Sequence, residues 1–203
     1  MTPPHKGGKD MAMITIRQER VSDITARERL LDEAFGEARF AKTSERLRED
    51  RLPAHGLSFV ATEGGRVVGS VRLWDISAGP GRTALQLGPL AVDAGARKRG
   101  IGAALVTRAL REARKLGHRA VLLVGDAPYY GRFGFSTEKT GALWLPGAYE
   151  RHRLLGLELV PGALDAARGM IAATGRPEPK PDLAALIAGV RNTNARRSVR
   201  RAA

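Results

Sequence analysis

The segment from residue 83 to residue 124 constrains most strongly what this chain can fold into. Residues 83–92 (TALQLGPLAV) are apolar enough for a strand, and residues 100–116 carry apolar side chains at helical spacing with charged ones opposite. Residues 120–124 (AVLLV) form a short apolar run of the kind found in interior strands. A strand, an amphipathic helix and a buried strand in this order predict an α/β fold whose helix packs against a sheet.

The rest of the chain supplies further elements of both kinds. Glu63-Gly64-Gly65-Arg66 predicts a hairpin turn between two runs of period two. We expect a disordered tail at 1–13, one folded domain at 14–175, and a linker, short amphipathic helix and basic tail at 176–203. The sequence predicts strands at 14–18, 57–62, 67–76, 133–136, 154–160 and 170–173, and helices at 23–35, 42–51 and 182–190.

The composition excludes several kinds of chemistry. There is no Cys, which excludes disulfides, thiolate metal sites and a Cys nucleophile. The four His residues lack the spacing of metal ligands, so we expect no metal. No apolar run approaches the ~18 residues of a membrane span, and residues 1–13 lack the apolar middle of a secretory signal. We therefore predict a cytoplasmic protein without a membrane partner.

The chain is strongly basic, with a formal net charge of +13 from 34 Lys and Arg against 21 Asp and Glu. This charge suits a polyanionic partner, which could be nucleic acid, an acidic surface or a phosphate-rich cofactor. The Arg-rich residues 191–203 keep nucleic-acid binding open, although we prefer to interpret them as a solvated tail.

Residues 97–104 (RKRGIGAA) stand between the strand and the amphipathic helix. Main-chain N–H groups at a helix start bind anions, and glycines let a diphosphate approach them closely. A Walker loop would need Gly-Lys-Ser/Thr, but two Ala residues follow Gly102. The dinucleotide fingerprint would need a third glycine where Leu105 stands. The loop therefore predicts a pyrophosphate site of another kind.

The pattern Arg-x-x-Gly-x-Gly after a strand resembles the pyrophosphate loop of the GNAT N-acetyltransferase superfamily. The segments LGPLAV, ARKRGIGAAL and LLVGDAPYYGRFGF are most similar to its YhbS-like bacterial branch. The resemblance covers residues 14–175. It implies a mixed, mostly antiparallel twisted sheet flanked by helices, with a splayed central strand pair, and it implies acetyl-CoA as the co-substrate and an amine as the acceptor. The cofactor contacts it implies are Leu90, Ala91, Val92, Arg97, Lys98, Arg99, Gly100, Ile101, Gly102 and Ala103.

Gly88-Pro89 interrupts an otherwise regular strand. Because Pro cannot donate to a β ladder, the dipeptide indicates either an edge strand or a bulge. In GNAT enzymes a bulge here opens a cleft for the pantetheine arm and frees a main-chain N–H to face the thioester carbonyl. The resemblance assigns that role to the N–H of Leu90.

Residues 127–135 (APYYGRFGF) resemble the family's Tyr-x-x-x-Gly-Phe segment, whose tyrosine can protonate the departing CoA thiolate. That residue is Tyr130 in this chain. A tyrosine with a pKa of ~10 is a reasonable acid for a thiolate whose conjugate pKa is ~8.5. The alternative is a core corner built from two adjacent tyrosines. Many relatives have Asn after strand five, but this chain has Gly125-Asp126, so no Asn role is carried over.

The general base is not identified by the sequence. A glutamate on the fourth strand would serve, but Gln86 stands there and cannot take a proton. Asp75, Glu63, Asp93 and Asp126 remain candidates, as does a chain of water molecules. The missing base keeps a non-catalytic acyl-CoA sensor as an alternative to direct transfer.

Two further features are open in the sequence. Trp74 and Trp144 either wall an acceptor pocket or anchor the packing. The helix at 182–190 docks either on its own domain or on a second subunit, which would make a homodimer.

Overall fold

The computed structural model describes residues 13–179, so the helix at 182–190 and the two tails lie outside the described part of the chain. Short 3-10 helices include Glu37–Arg39, Thr43–Leu47 and Ala94–Ala96. The main elements are β1 (Ile14–Gln18), α1 (Ile24–Phe35), β2 (Ser58–Glu63), β3 (Arg66–Ala78), β4 (Thr83–Val92), α2 (Ile101–Lys115), β5 (Ala120–Val124), α3 (Ala127–Tyr130), β6 (Leu143–Trp144), β7 (Leu154–Glu158) and β8 (Gly169–Ala173).

The strands form one eight-stranded sheet with the main order β1-β2-β3-β4-β5-β7, and β8 pairs with both β3 and β6. The β4–β5 and β6–β8 pairs are parallel, and the other pairs are antiparallel. The predicted mixed, mostly antiparallel sheet is therefore confirmed.

The two long helices cover opposite faces of this sheet. On one face, α1 packs Leu30 and Leu31 against Val60, Val67 and Ala91. On the other face, α2 carries the apolar stripe that its sequence predicted, and this stripe joins the main core with side chains of β2 to β5. The buried residues of the α2 stripe are Ile101, Leu105, Val106, Ala109, Leu110 and Ala113. Burying each large side chain contributes about 1.5–3 kcal/mol, which fixes α2 on the sheet.

The helix predicted at 42–51 is wrong. This stretch instead contains the 3-10 helix Thr43–Leu47. The Oγ1 of Thr43 donates to the carbonyl of Ala148, and Nη1 of Arg46 donates to the carbonyl of Pro146 at 2.8 Å. These tertiary bonds come from a segment about a hundred residues later, and they favour a short turn over a regular helix.

The strand predicted at 133–136 is also wrong. Gly131–Phe133 is a 3-10 turn, and the pairing is reduced to one isolated bridge between Ser136 and Gly156. Gly134 adopts a φ of +89°, which breaks an extended strand at that point.

The described chain stays attached to the domain beyond residue 175. The N–H of Leu52 donates to the carbonyl of Arg176 at 2.8 Å, and the N–H of Glu178 donates to the carbonyl of Asp50 at 2.9 Å. Part of the predicted linker therefore extends the folded body. Across residues 13–179, no helix is long and apolar enough to cross a membrane.

Candidate active site

A bulge interrupts β4 at Gly88 and Pro89. Val71 of β3 lies opposite Leu90, but Leu73 lies opposite Leu87, so β4 contains one extra residue between these pairs. The indole Nε1 of the buried Trp74 donates to the carbonyl of Gly88 at 2.6 Å and anchors the bulge. Trp74 thus anchors the packing and also lies in the wall of a second cavity beside Pro89, whereas Trp144 on β6 is 47% exposed.

The bulge coincides with the separation of β4 from β5. These two strands are in register only at Leu85 with Val121 and at Gln86 with Leu122. On its other side β5 stays paired with β7 along its whole length. The predicted splayed strand pair is therefore confirmed, and we call the opening between residues 87–92 and the end of β5 the fork.

The ladder between β3 and β4 shows where the main-chain donors beyond the bulge point. The N–H of Asp93 donates to Val68 of β3 at 2.9 Å. Hydrogen-bonding and non-hydrogen-bonding residues alternate along an antiparallel pair, so Ala91 also faces β3. The N–H groups of Leu90 and Val92 therefore point away from β3, into the fork. This direction fits the role that the family resemblance implies for the N–H of Leu90.

The loop after β4 ends in an exposed helix N-terminus. The first bond of α2 runs from the N–H of Ala104 to the carbonyl of Gly100 at 2.9 Å. The amides before Ala104 consequently have no acceptor within the helix. Gly100 has a φ of +79° and Lys98 a φ of +61°, and both residues are exposed. The free amides of the first turn thus follow directly after an exposed loop, an arrangement that suits an anion site.

Gly102 brings this loop against the lining of the fork. A β-carbon at position 102 would lie 2.9 Å from the hydroxyl of Tyr129, 3.6 Å from Cγ2 of Val92 and 3.9 Å from Cδ2 of Leu90. Three of the sequence-predicted contact residues thus come together here. The hydroxyl of Tyr129 was missed, because the motif assigns a role only to its neighbour.

The predicted cofactor residues differ in what they expose. Ala91 and Ile101 are each only 3% exposed, so neither offers a side chain to a ligand. Arg97 is exposed, as are Lys98 and Arg99. The guanidinium of Arg99 forms two bonds with Glu63, at 2.7 and 3.1 Å.

The hydrogen bond from Arg99 lowers the pKa of the Glu63 carboxyl. A lowered pKa makes Glu63 a weaker base than an ordinary glutamate. Asp93 accepts from the N–H of Gly95 at 2.9 Å and pairs with Arg66 at 3.2 Å. Both carboxylates are therefore already engaged with neighbouring groups.

Tyr130 closes the inner end of the fork from α3. Its ring contacts Tyr129 edge-on at 4.9 Å between centroids and Phe135 at 5.9 Å, so it belongs to an aromatic cluster at the rim of the core. Burial raises the pKa of Tyr130 to about 12. The hydroxyl is therefore protonated throughout the physiological range and can act as a hydrogen-bond donor or an acid.

A cavity of about 240 Å³ lies at the fork and has both Leu90 and Tyr130 in its wall. Of the four candidate bases, Asp126 is the one in this wall. The other lining residues are Phe35, Arg39, Lys42, Ser44, Glu45, Arg48, Gln86, Leu87, Gly88, Pro89, Val124, Gly125 and Arg153.

The charged part of this wall was not predicted from the sequence, and it includes Arg39, Lys42, Glu45, Arg48 and Arg153. These side chains come from segments about forty residues before the bulge and sixty after it. The spacing of these residues in the sequence does not indicate that their side chains lie close together, because that depends on how the 3-10 helices pack. In the part of the chain that the structure covers, no group of three His, Asp or Glu residues is placed to hold a metal ion.

Comparison with known sequences identifies relatives along most of the chain. Residues 24–135 match the Acetyltransferase (GNAT) family. The chain is 35% identical over 147 residues to YhbS of Escherichia coli K12, an uncharacterized N-acetyltransferase, covering 68% of this chain and 86% of YhbS. It is 38% identical over 113 residues to N-acetyltransferase family 8 member 2 of Rattus norvegicus, covering 53% of this chain and 49% of the rat protein.

Two solved structures share the fold. The crystal structure of E. coli YhbS in complex with CoA has a TM-score of 0.67 and 30% identity, covering 83% of this chain and 93% of that one. The GNAT family acetyltransferase of Brucella melitensis in complex with acetyl-CoA has a TM-score of 0.60 and 27% identity, covering 79% and 96%.

The matched residues 24–135 include the bulge, the fork, the helix start and the aromatic cluster, whereas Arg153 of the cavity wall lies outside them. The fork, the exposed helix start and the tyrosine after β5 therefore lie within the region of family similarity. This chain belongs to the GNAT family of N-acetyltransferases.

Proposed function

We propose that this chain transfers an acetyl group from acetyl-CoA to an amine by direct attack. One observation carries the proposal: the N–H of Leu90 points into a fork that leads to the exposed N-terminus of α2. A thioester and a diphosphate at opposite ends of one ligand would find donors at both places. The CoA and acetyl-CoA complexes of the two structural relatives support this choice of ligand.

The residues present fit such a ligand. The amides of residues 100–103 would receive the pyrophosphate, with the exposed Arg97 and Lys98 adding positive charge. The pantetheine arm would lie along residues 90–92 within the fork. Gly102 keeps open the space between this loop and Tyr129, since a β-carbon there would crowd the hydroxyl.

The fork also offers the groups that the reaction needs. The amine nitrogen would attack the thioester carbonyl carbon, and the N–H of Leu90 would stabilise the oxyanion that forms. As the C–S bond breaks, Tyr130 would give its proton to the thiolate, and the amine would lose a proton to water or to Asp126. The raised pKa of Tyr130 keeps that proton in place until the leaving group takes it.

The test combines binding with turnover. We expect calorimetry to detect CoA with a dissociation constant between about 1 μM and 1 mM, the usual span for enzyme substrates. Purified protein, acetyl-CoA and a panel of amines should then release free thiol. Failure to bind CoA would overturn the proposal, and binding without turnover of any amine would favour an acyl-CoA sensor. Cytoplasmic location and dimer formation stay predictions.

A further inference from the structure

The wall of the fork cavity contains a buried arginine with spare donors. The side chain of Arg48 is 7% exposed, and its Nη2 donates to Glu45. Its Nε is buried and has no hydrogen-bond partner among the described residues. A guanidinium has five N–H donors, so one carboxylate leaves several of them unused. Buried polar groups in native proteins are nearly always paired, so an unpaired one calls for an explanation, such as a catalytic role or a bound water or ion.

A buried acceptor without a partner stands in the same wall. Gln86 is 4% exposed, and its Nε2 donates to the carbonyl of Ser44 at 3.0 Å. This bond fixes the side-chain amide, so Oε1 is the free end, and it has no partner within residues 13–179. Arg48 and Gln86 both line the cavity, and each carries a buried polar atom without a partner among the described residues.

The charge of the wall favours an anionic ligand. Four cationic side chains line the cavity against two acidic ones, namely Arg39, Lys42, Arg48 and Arg153 against Glu45 and Asp126, although carboxylates outside the wall also pair with Arg39 and Arg153. Its volume of about 240 Å³ lies below the usual 300–1,000 Å³ of pockets for drug-sized ligands. The cavity therefore suits a small molecule that carries negative charge.

We infer that the acceptor is a small amine that carries a carboxylate, as a free amino acid does. This inference rests on the proposed function. Arg48 binds the carboxylate as a charge-assisted anion site. Oε1 of Gln86 accepts a hydrogen bond from the neutral amine, whose lone pair stays free to attack the thioester beside Leu90. Gln86 is then a positioning residue, which explains how a residue that cannot act as a base serves in this place.

The experiment compares matched acceptors in the thiol-release assay. Each amino acid of a set of twenty is paired with its own amide, which keeps the shape but removes the negative charge. Each rate is divided by the concentration of acceptor whose amine is neutral, so that the comparison reports the effect of the carboxylate. We expect kcat/KM to be about 10- to 100-fold higher for the carboxylate form of the preferred amino acid, the usual effect of one hydrogen bond to a charged group.

Variants of the cavity wall test which residues cause the preference for the carboxylate form. The double variant Glu45→Gln/Arg48→Met removes both charges of the buried pair together, so neither is left unpaired. In this variant we expect the ratio of kcat/KM between the amino acid and its amide to fall to about 1, because the KM for the amino acid rises. CoA affinity should stay unchanged. Gln86→Met should lower kcat/KM for both members of a pair and keep the preference. The control Lys139→Met removes one cation from an exposed pair with Asp165, and it should change neither kcat/KM nor the preference for the carboxylate form.

The outcomes separate the two proposals. If amides react as fast as their acids, or if only peptides and plain amines react, the inference is overturned and the proposed function stands. If the double variant keeps the preference, Arg48 is not the anion site, and the inference is likewise overturned. If CoA binds but no amine reacts, both proposals are overturned. Should the double variant fail to melt cooperatively, Arg48→Lys replaces it and should lose most of the preference.

Discussion

Gly125 makes room for the ring of Tyr130. A β-carbon at position 125 would lie 2.7 Å from Cδ2 of Tyr130 and nearer still to Cε2. Gly125 is itself held in place, because its N–H donates to the carbonyl of Arg153 at 2.9 Å. The ring, and not the backbone, would have to move if residue 125 were larger. The glycine at the end of β5 therefore determines where the tyrosine hydroxyl lies.

Gly125→Ala should displace Tyr130 and weaken both stability and turnover. Forcing a methyl group into a filled space typically costs about 1–3 kcal/mol in the free energy of unfolding. We expect kcat to fall by about 10-fold or more as the hydroxyl leaves its position, while CoA affinity changes little. Urea denaturation and the thiol-release assay measure these two effects.

Gly131→Ala is the matched control. A β-carbon at Gly131 would meet no heavy atom within 4 Å, and the residue has a helical φ of −56°. We expect unchanged kcat and stability equal to or slightly above that of the parent. An equal loss of kcat in both variants would show that the Gly125–Tyr130 contact is not what matters.

Tyr130→Phe should separate acid catalysis from packing. The substitution keeps the aromatic cluster and removes only the hydroxyl, so we expect kcat to fall by about 10²-fold with CoA affinity nearly intact. Because burial raises the pKa of Tyr130 to about 12, loss of its proton should not reduce the activity of the parent protein below about pH 11. A pH–rate profile checks this alkaline limit.

The control for this variant is Tyr149→Phe. The hydroxyl of Tyr149 donates to the carbonyl of Leu143 at 3.2 Å, which is a structural bond outside the proposed reaction. We expect a loss of about 1 kcal/mol in stability and no change in kcat. If Tyr130→Phe turns over as fast as this control, the assignment of Tyr130 as the acid is wrong.

The parts of the site that were predictable follow from local rules. Gly88-Pro89 indicates an edge strand or a bulge because Pro has no N–H, and the stripe on α2 together with Gly100 indicates a helix that starts at an open loop. Both rules need only neighbouring residues, and the structure confirms the bulge and the helix.

The predictions that were wrong concern segments whose structure depends on contacts between residues distant in sequence. The segment at 42–51 has helical composition, yet bonds from Thr43 and Arg46 to residues 146–148 hold it as a short turn. The position of Arg48 in the cavity wall follows from that turn. Tertiary contacts override the helix propensity of this segment, so the role of Arg48 in the inferred acceptor site could not be predicted from residue spacing.

Gly102→Ala should weaken CoA binding. The added β-carbon would lie 2.9 Å from the hydroxyl of Tyr129 at the point where the loop meets the fork. We expect CoA affinity to fall by about 10-fold, since the loop or the tyrosine must shift from its position. Calorimetry measures the affinity, and circular dichroism confirms that the fold is kept.

A second substitution identifies the cause of this loss. Tyr129→Phe removes the atom that the new methyl group would crowd, so Gly102→Ala/Tyr129→Phe should recover part of the lost affinity. If the double variant binds CoA no better than Gly102→Ala alone, the methyl group blocks the diphosphate directly and the contact with Tyr129 is incidental.

The pair between Arg17 and Asp23 should make stability depend on acid pH. Two hydrogen bonds from Arg17, at 2.6 and 2.9 Å, lower the pKa of the Asp23 carboxyl to about 2. In the unfolded chain this pKa is about 3.9, so the stabilisation is complete above about pH 4 and disappears as the pH falls through about 2. Asp23→Asn should therefore lower the free energy of unfolding by about 1 kcal/mol at pH 7, allowing for solvent screening, and by less near pH 3. Urea denaturation at both pH values measures the difference, and Asp165→Asn should show a weaker dependence of the same sign, because the pKa of Asp165 is also lowered by Lys139 but the pair is exposed to solvent screening. A constant loss at the two pH values would mean that Asp23 stabilises the fold through packing and not through its charge.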